Sequence, residues 1–185
     1  MKKFVMAILV LGLVPVGAFA QAQQTAPAEA NPVSNMLRIV LERSSKSMIA
    51  AAEEMPADKY SYSPTPEQIT FGHLIVHVTN FNNLVCSKLS DTTATDSSKL
   101  ADTDPKDKLL PALKTSYAYC TRALAKVDDS NLGEQIVLFG DHKVSRAAVM
   151  MIFASSFADH YGMAAMYLRL NKLVPPTASQ PHNGQ

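Results

Sequence analysis

The fold class is decided by the stretch TPEQITFGHLIVHVTNFNNLVCSKL, residues 65–89. Its opening residues, Thr65 and Pro66, are a capping hydroxyl and a first-turn proline, a pattern typical of a helix start. The apolar residues that follow recur at helical spacing and form one stripe, which comprises Ile69, Leu74, Val78, Phe81 and Val85. We therefore predict a long amphipathic helix that begins near Thr65 and ends near Leu89.

Three further segments have the same helical period, and they cover residues 32–55, 106–127 and 144–173. Pro111 lies near the start of the middle one, where it either kinks the helix or moves its start one turn later. The apolar patch at residues 136–139 fits either a loop or a brief strand. Four helices with almost no strand signal predict an all-α protein, an antiparallel four-helix bundle.

The first twenty residues have the features of a signal peptide. Two lysines precede an apolar run, and Ala18-Phe19-Ala20 offers a small-x-small cleavage site. The run is shorter than the roughly 20 residues that span a bilayer, and no later stretch is long enough, so we expect no membrane span after cleavage. The expected organisation is a signal peptide at 1–20, a flexible leader at 21–31, one domain at 32–176 and a disordered tail at 177–185. This organisation predicts a periplasmic or secreted protein.

The balance of charge argues against a nucleic-acid partner. The chain has 17 Lys and Arg against 16 Asp and Glu, and loss of the two lysines at the N-terminus leaves the mature chain nearly neutral. Because nucleic-acid binding depends on neutralising many phosphates, we expect none here.

Cys86 and Cys120 are the only cysteines, an even number for an oxidising compartment, and each falls within a predicted helix. Two alternatives remain open. The cysteines form a disulfide between neighbouring helices, which would close a loop of about 35 residues, or they are separate buried thiols that act as small apolar groups.

Histidines are the polar residues that stand out within the apolar helices. His73 and His77 lie four apart and share a helix face, one geometry by which a helix offers two imidazoles to a metal. His160 lies in the fourth helix. Without a HExxH pattern, such a pair fits packed or surface histidines as well as a metal site. No nucleophile elbow, P-loop or dinucleotide-binding glycine pattern accompanies them.

Two stretches carry a resemblance to a known family: YSYSPTPEQITFGHLIVHV, residues 60–78, and HYGMAAMYLRLNKLVPP, residues 160–176. They resemble the DinB-like (DinB/YfiT) superfamily, specifically its exported bacterial branch, over about residues 33–176. The resemblance implies a four-helix bundle with a divalent metal, often zinc or nickel, bound by three histidines. One comes from the second helix and two, four residues apart, come from the last. Related members include thiol-dependent transferases and a maleylpyruvate isomerase.

The resemblance maps onto this chain incompletely. His77 matches the ligand on the second helix and His160 the final ligand, but the remaining position holds Ser156. A hydroxyl is a poor ligand for zinc or nickel compared with imidazole. In one interpretation, His73 joins His77 and His160 in a rearranged site. In the other, the bundle is kept and tight metal binding is lost. Weak sites that include Ser156 or Asp159 remain a third alternative.

We therefore expect an exported protein with a degenerate divalent-metal site in the bundle cleft, which binds a small ligand or a partner protein and has no assured catalysis. The alternative is a metal-dependent hydrolase or a thiol-type transferase that uses His73, His77 and His160. Export weakens the transferase alternative, because low-molecular-weight thiols are mainly cytosolic. The resemblance also suggests a homodimer.

Overall fold

The computed structural model describes residues 28–94, 96–97 and 99–178. Its four helices are α1 (Pro32–Glu54), α2 (Phe71–Ser90), α3 (Lys106–Leu124) and α4 (Arg146–Leu170). A 3-10 turn at Ala57–Lys59 follows α1, and a two-stranded antiparallel hairpin, β1 (Gln135–Phe139) and β2 (His142–Ser145), precedes α4. The predicted all-α four-helix bundle is confirmed.

Each helix packs mainly against two others, because α1 and α2 both contact α3 and α4. The pair α1/α3 is antiparallel: Arg38, near the start of α1, donates to the carbonyl of Leu124 at the end of α3. At the other end of this pair, the Lys106 ammonium donates to the carbonyl at the end of α1. The pair α2/α4 is also antiparallel, since Tyr167, near the end of α4, donates to the carbonyl of Ile69, just before α2.

The other two contacting pairs run parallel. A disulfide joins Cys86 to Cys120, in the later halves of α2 and α3, with the Cα atoms 5.3 Å apart. Both cysteines are fully buried, and of the two alternatives for them the disulfide is the one found. In the α1/α4 pair, Met36 and Met151 line one groove near the starts of both helices. The predicted antiparallel direction therefore holds for α1/α3 and α2/α4, while the connection at residues 91–105 lets α3 run alongside α2.

The second helix begins later than predicted. It starts at Phe71 rather than near Thr65, and Thr70 is its cap, with a hydroxyl that accepts a hydrogen bond from the amide of His73 at 3.0 Å. The first two amides of the helix donate to carbonyls within residues 60–62. The preceding connection thus supplies acceptors for amides that have no partner within the helix itself.

The start of α2 is packed closely against the connection to α3. A Cβ added at Gly72 would lie 2.6 Å from the carbonyl oxygen of Asp102 and 3.2 Å from that of Tyr60. Both neighbours are backbone atoms, which yield less readily than the end of a side chain. Only glycine fits at this position without displacing the connection.

The segment between α3 and α4 is a short hairpin, which resolves the ambiguity about the patch at 136–139. The fourth helix consequently starts at Arg146 instead of Val144, with Ser145 as its cap and the Ala148 amide as donor. The third helix already begins at Lys106, so Pro111 lies inside its first turns and does not move its start.

Several predictions for the chain ends concern residues that lie mostly outside the described part. The signal peptide at 1–20 lies wholly outside it, as do most of the leader at 21–31 and of the tail at 177–185. Within residues 28–94, 96–97 and 99–178, no helix combines the length and the apolar character needed to cross a membrane.

Candidate functional site

Two of the histidines singled out in the sequence face each other across the α2/α4 interface. His77 lies in the second turn of α2, and the antiparallel direction of α4 brings His160 to the same level. Their ring centroids are 5.0 Å apart, and the ring planes are nearly perpendicular, at 86°. His77 is exposed and His160 is half-buried, so the pair lies at an edge of the interface that solvent can reach.

Phe81 contacts both histidines, and two further phenylalanines pack against Phe81. Phe81, one turn after His77, has its ring parallel to that of His77, with the centroids 6.1 Å apart, and it meets His160 edge-on at 5.8 Å. Phe153 of α4 supports Phe81 at 5.9 Å. On its other side, Phe139 of the hairpin lies nearly parallel to Phe81, at 6.3 Å.

These phenylalanines were not predicted from the sequence to belong to the site. Phe81 was part of the predicted core stripe, and its position four residues after His77 is the signal that could have placed it beside that imidazole. Phe139 carried no such signal, because the folding of the hairpin against α2 brings it there from a distant part of the chain.

Burial and the nearby His77 together lower the pKa of His160 from its ordinary value of 6.5 to about 4, while the Asp159 carboxylate opposes this shift. His160 is therefore a neutral imidazole at physiological pH. The neutral ring has a lone pair on one nitrogen, which is the form that binds a metal ion or accepts a hydrogen bond.

Ser156 lies one turn before His160, at the position where the resemblance calls for a third histidine. Its hydroxyl donates to the carbonyl of Phe153 at 2.7 Å, within α4 itself. This hydrogen bond satisfies the hydroxyl locally. Ser156 therefore uses its hydroxyl proton within its own helix.

His73 is engaged elsewhere. Its Nδ1 atom lies 2.8 Å from a carboxylate oxygen of Asp102, in the connection between α2 and α3, and both side chains are nearly half exposed. This pair lines a cavity of about 410 Å³ at the start of α2. The structure therefore brings His77 and His160 together and places His73 in a different pair.

The described residues bring two imidazoles together at this position and no third one. An imidazole nitrogen binds zinc at about 2.0–2.1 Å, so the 5.0 Å between the two ring centroids is of the size expected for two imidazoles on a common ion. Among the residues that the structure describes, no group of three or more His, Cys, Asp or Glu side chains is arranged to hold a metal. Within the described ranges, His77 and His160 are therefore the two side chains available to an ion at this position.

Known proteins resemble this chain in fold and in sequence pattern. A DinB-like protein from Bacillus subtilis has a solved structure that matches with a TM-score of 0.62 and 20% identity, covering 80% of this chain and 99% of that one. A DinB-like protein from Bacillus cereus matches with a TM-score of 0.65 and 14% identity, covering 77% of this chain and 95% of that one. Identities this low show the fold alone. No curated protein matches the chain.

The family comparison covers the candidate site itself. The model of the DinB superfamily matches residues 41–164, a span that includes His77, Ser156 and His160. This match extends over more than half of the sequence, and both structural neighbours carry the same fold. The chain therefore belongs to the DinB superfamily.

Proposed function

We propose that this protein is an exported DinB-like domain whose cleft between α2 and α4 is a degenerate divalent-metal site. In this proposal, His77 and His160 bind zinc or nickel weakly, and a small ligand occupies the same cleft. The observation that carries the proposal is the approach of the two imidazole rings, whose centroids lie 5.0 Å apart across the α2/α4 interface.

The donor set supports weak binding rather than a tight catalytic centre. Structural and catalytic zinc sites use three or four protein ligands, whereas the cleft supplies two imidazoles. The lowered pKa of His160 means that protons do not compete for its nitrogen near neutral pH. Binding is therefore limited by the number of protein ligands.

Export rests on the N-terminal pattern of residues 1–20 and agrees with the disulfide. Disulfides persist in oxidising compartments and are rare in the cytosol. The buried bond between Cys86 and Cys120 therefore suits a periplasmic or secreted protein.

The metal-dependent hydrolase or transferase would need His73 in the same site. That side chain would have to leave Asp102, to which its Nδ1 atom lies at 2.8 Å, and turn toward His77. The two-histidine site needs no such rearrangement, and for this reason we place it first.

The test is metal binding by the mature chain, from residue 21 onward, purified from the periplasm without an affinity tag. We expect little metal after purification and weak zinc or nickel binding by titration calorimetry, reduced more than about tenfold by either His77→Ala or His160→Ala. His142→Ala is the matched control, because this exposed residue of β2 lies outside the pair. No binding by the unmodified chain, or binding that survives both substitutions, would refute the proposal.

The same titration distinguishes the two-histidine site from the enzyme alternative, which uses His73 as well. If His73 is a ligand, His73→Ala weakens binding as much as His77→Ala does, and near-stoichiometric metal remains through purification. We expect His73→Ala to leave the affinity unchanged. The proposed homodimer is tested independently by sedimentation of the same preparation.

A further inference from the structure

A groove between the first turns of α1 and α4 is lined by three methionines. Met36 comes from α1, and Met150 and Met151 come from α4. The groove has a volume of about 300 Å³. Met36 and Met151 leave 57% and 67% of their surface exposed, so solvent reaches the groove, whereas Met150 is buried. The structure thus gathers thioethers from two helices around one small, accessible volume.

The chemistry of the lining selects the kind of ligand. All eight residues that line the groove are Pro, Val, Leu, Ala or Met, so the thioether sulfurs are the only donor atoms among their side chains. Calcium and magnesium prefer oxygen donors, and zinc prefers imidazole or thiolate, so these ions find no suitable side chain in this lining. Thioethers are soft ligands, and such ligands select Cu(I).

From these observations we infer that Met36, Met150 and Met151 form a binding site for a soft monovalent ion, Cu(I), in the α1/α4 groove. Because methionine is unbranched and has three rotatable bonds, the position of its sulfur adapts to what it binds. The site is separate from the His77/His160 pair, which lies across the α2/α4 interface. The inference therefore does not depend on the proposed function.

Apolar packing alone does not account for these methionines. Met36 and Met151 are exposed, so neither fills a gap in the core, which is the ordinary use of methionine. An apolar surface for a protein partner would be formed equally well by leucine, which has a similar volume and no sulfur. The two explanations therefore differ in the effect of a Met→Leu substitution.

The test is Cu(I) binding by the mature chain, from residue 21 onward, measured anaerobically with ascorbate in competition with the coloured bicinchoninate complex of Cu(I). We expect the chain to withdraw one equivalent of Cu(I). Met36→Leu and Met151→Leu should each lower the affinity at least about tenfold, because a direct ligand matters at least as much as the outer partners that support one. Met166→Leu is the matched control, since Met166 is an exposed methionine of α4 outside the groove. Thermal unfolding verifies that the substituted chains fold.

The histidine pair is controlled for separately, because imidazoles also bind copper. The titration is repeated with the double variant His77→Ala/His160→Ala, which we expect to retain one equivalent of Cu(I). No Cu(I) binding by the unmodified chain would overturn the inference. Binding that is lost in the histidine variant and survives the double variant Met36→Leu/Met151→Leu would overturn it as well.

A second measurement identifies the ligands directly. Ag(I) shares the charge and softness of Cu(I) and keeps its oxidation state in air, so it is added to the mature chain labelled with ¹³C at the methionine methyl groups. We expect the NMR signals of the three groove methionines to shift, while those of the other methionines of the mature chain stay in place: Met48, Met55, Met163 and Met166. An equal shift of Met166, or unchanged signals from the groove, would show that the three thioethers do not form the site.

Discussion

Reduction of the disulfide is expected to cost the protein a large part of its stability. Cys86 and Cys120 are 34 residues apart in the sequence, and the bond links α2 to α3 inside the core. Because the bond closes a loop in the unfolded chain, its removal raises the entropy of the unfolded state.

The magnitude follows from the size of the loop. Closing a 15-residue loop is worth about 3 kcal/mol and closing a 100-residue loop about 4.7 kcal/mol, so this loop corresponds to about 4 kcal/mol in the free energy of unfolding. For a domain of this size, 1 kcal/mol shifts the Tm by roughly 2–4 °C, so we expect a fall of about 8–16 °C on reduction.

The assay is urea and thermal unfolding of the mature chain, followed by circular dichroism with and without a phosphine reductant. The matched control is the double variant Cys86→Ala/Cys120→Ala, whose unfolding should not respond to the reductant. Equal stability of the oxidised and reduced chains would refute the entropic argument. A reductant effect that persists in the double variant would show that the effect does not come from this bond.

Three further changes probe the site and the packing around it. The pKa of His160 is lowered in the folded state, to about 4. The contribution of its neutral imidazole to the free energy of unfolding is therefore fully present above pH 6.5 and is lost as the pH falls toward 4. We expect the free energy of unfolding to fall by about 1–2 kcal/mol over this window, after allowance for solvent screening. In urea unfolding at several pH values, His160→Gln should show a weaker dependence of this free energy on pH. Gly72→Ala should cost about 1–3 kcal/mol, because its Cβ would lie 2.6 Å from a backbone oxygen, whereas Gly133→Ala, with nothing within 4 Å, should be nearly neutral in the same assay. Ser156→His should raise zinc affinity more than tenfold in calorimetry by supplying the missing imidazole, and Ser155→His, on the exposed side of α4, should not.

Most of the fold could be predicted from the sequence, because the four helices have long apolar periods. The start of α2 could not: Thr65 and Pro66 have the local features of a helix start, but carbonyls within residues 60–62 accept hydrogen bonds from the first amides of α2, and Thr70 is the cap. The parallel direction of α2 and α3 could not be predicted from the sequence either, because the periodicity of a helix contains no information about its direction relative to a neighbouring helix.

The candidate site was predictable only where its residues share one helix or one motif. The resemblance identified His77 and His160 as the candidate pair, and in the structure their ring centroids lie 5.0 Å apart. The pairing of His73 with Asp102 depends on how the connection at residues 91–105 folds back over α2. Helical spacing placed His73 and His77 on one face, but the contact between its Nδ1 atom and Asp102 places His73 in a different pair.

Two of the links that join α2 to α3 are separate from the histidine pair. The disulfide and a buried hydrogen bond from Asn82 to Ser116 join α2 to α3, on the side of α2 away from α4. At the cleft, Ser156 satisfies its own hydroxyl within α4, so a serine in place of a ligand histidine leaves no buried polar group without a partner. The fold therefore tolerates loss of the third imidazole at little cost in stability. The same independence means that Ser156→His can be tested for metal binding in an intact bundle.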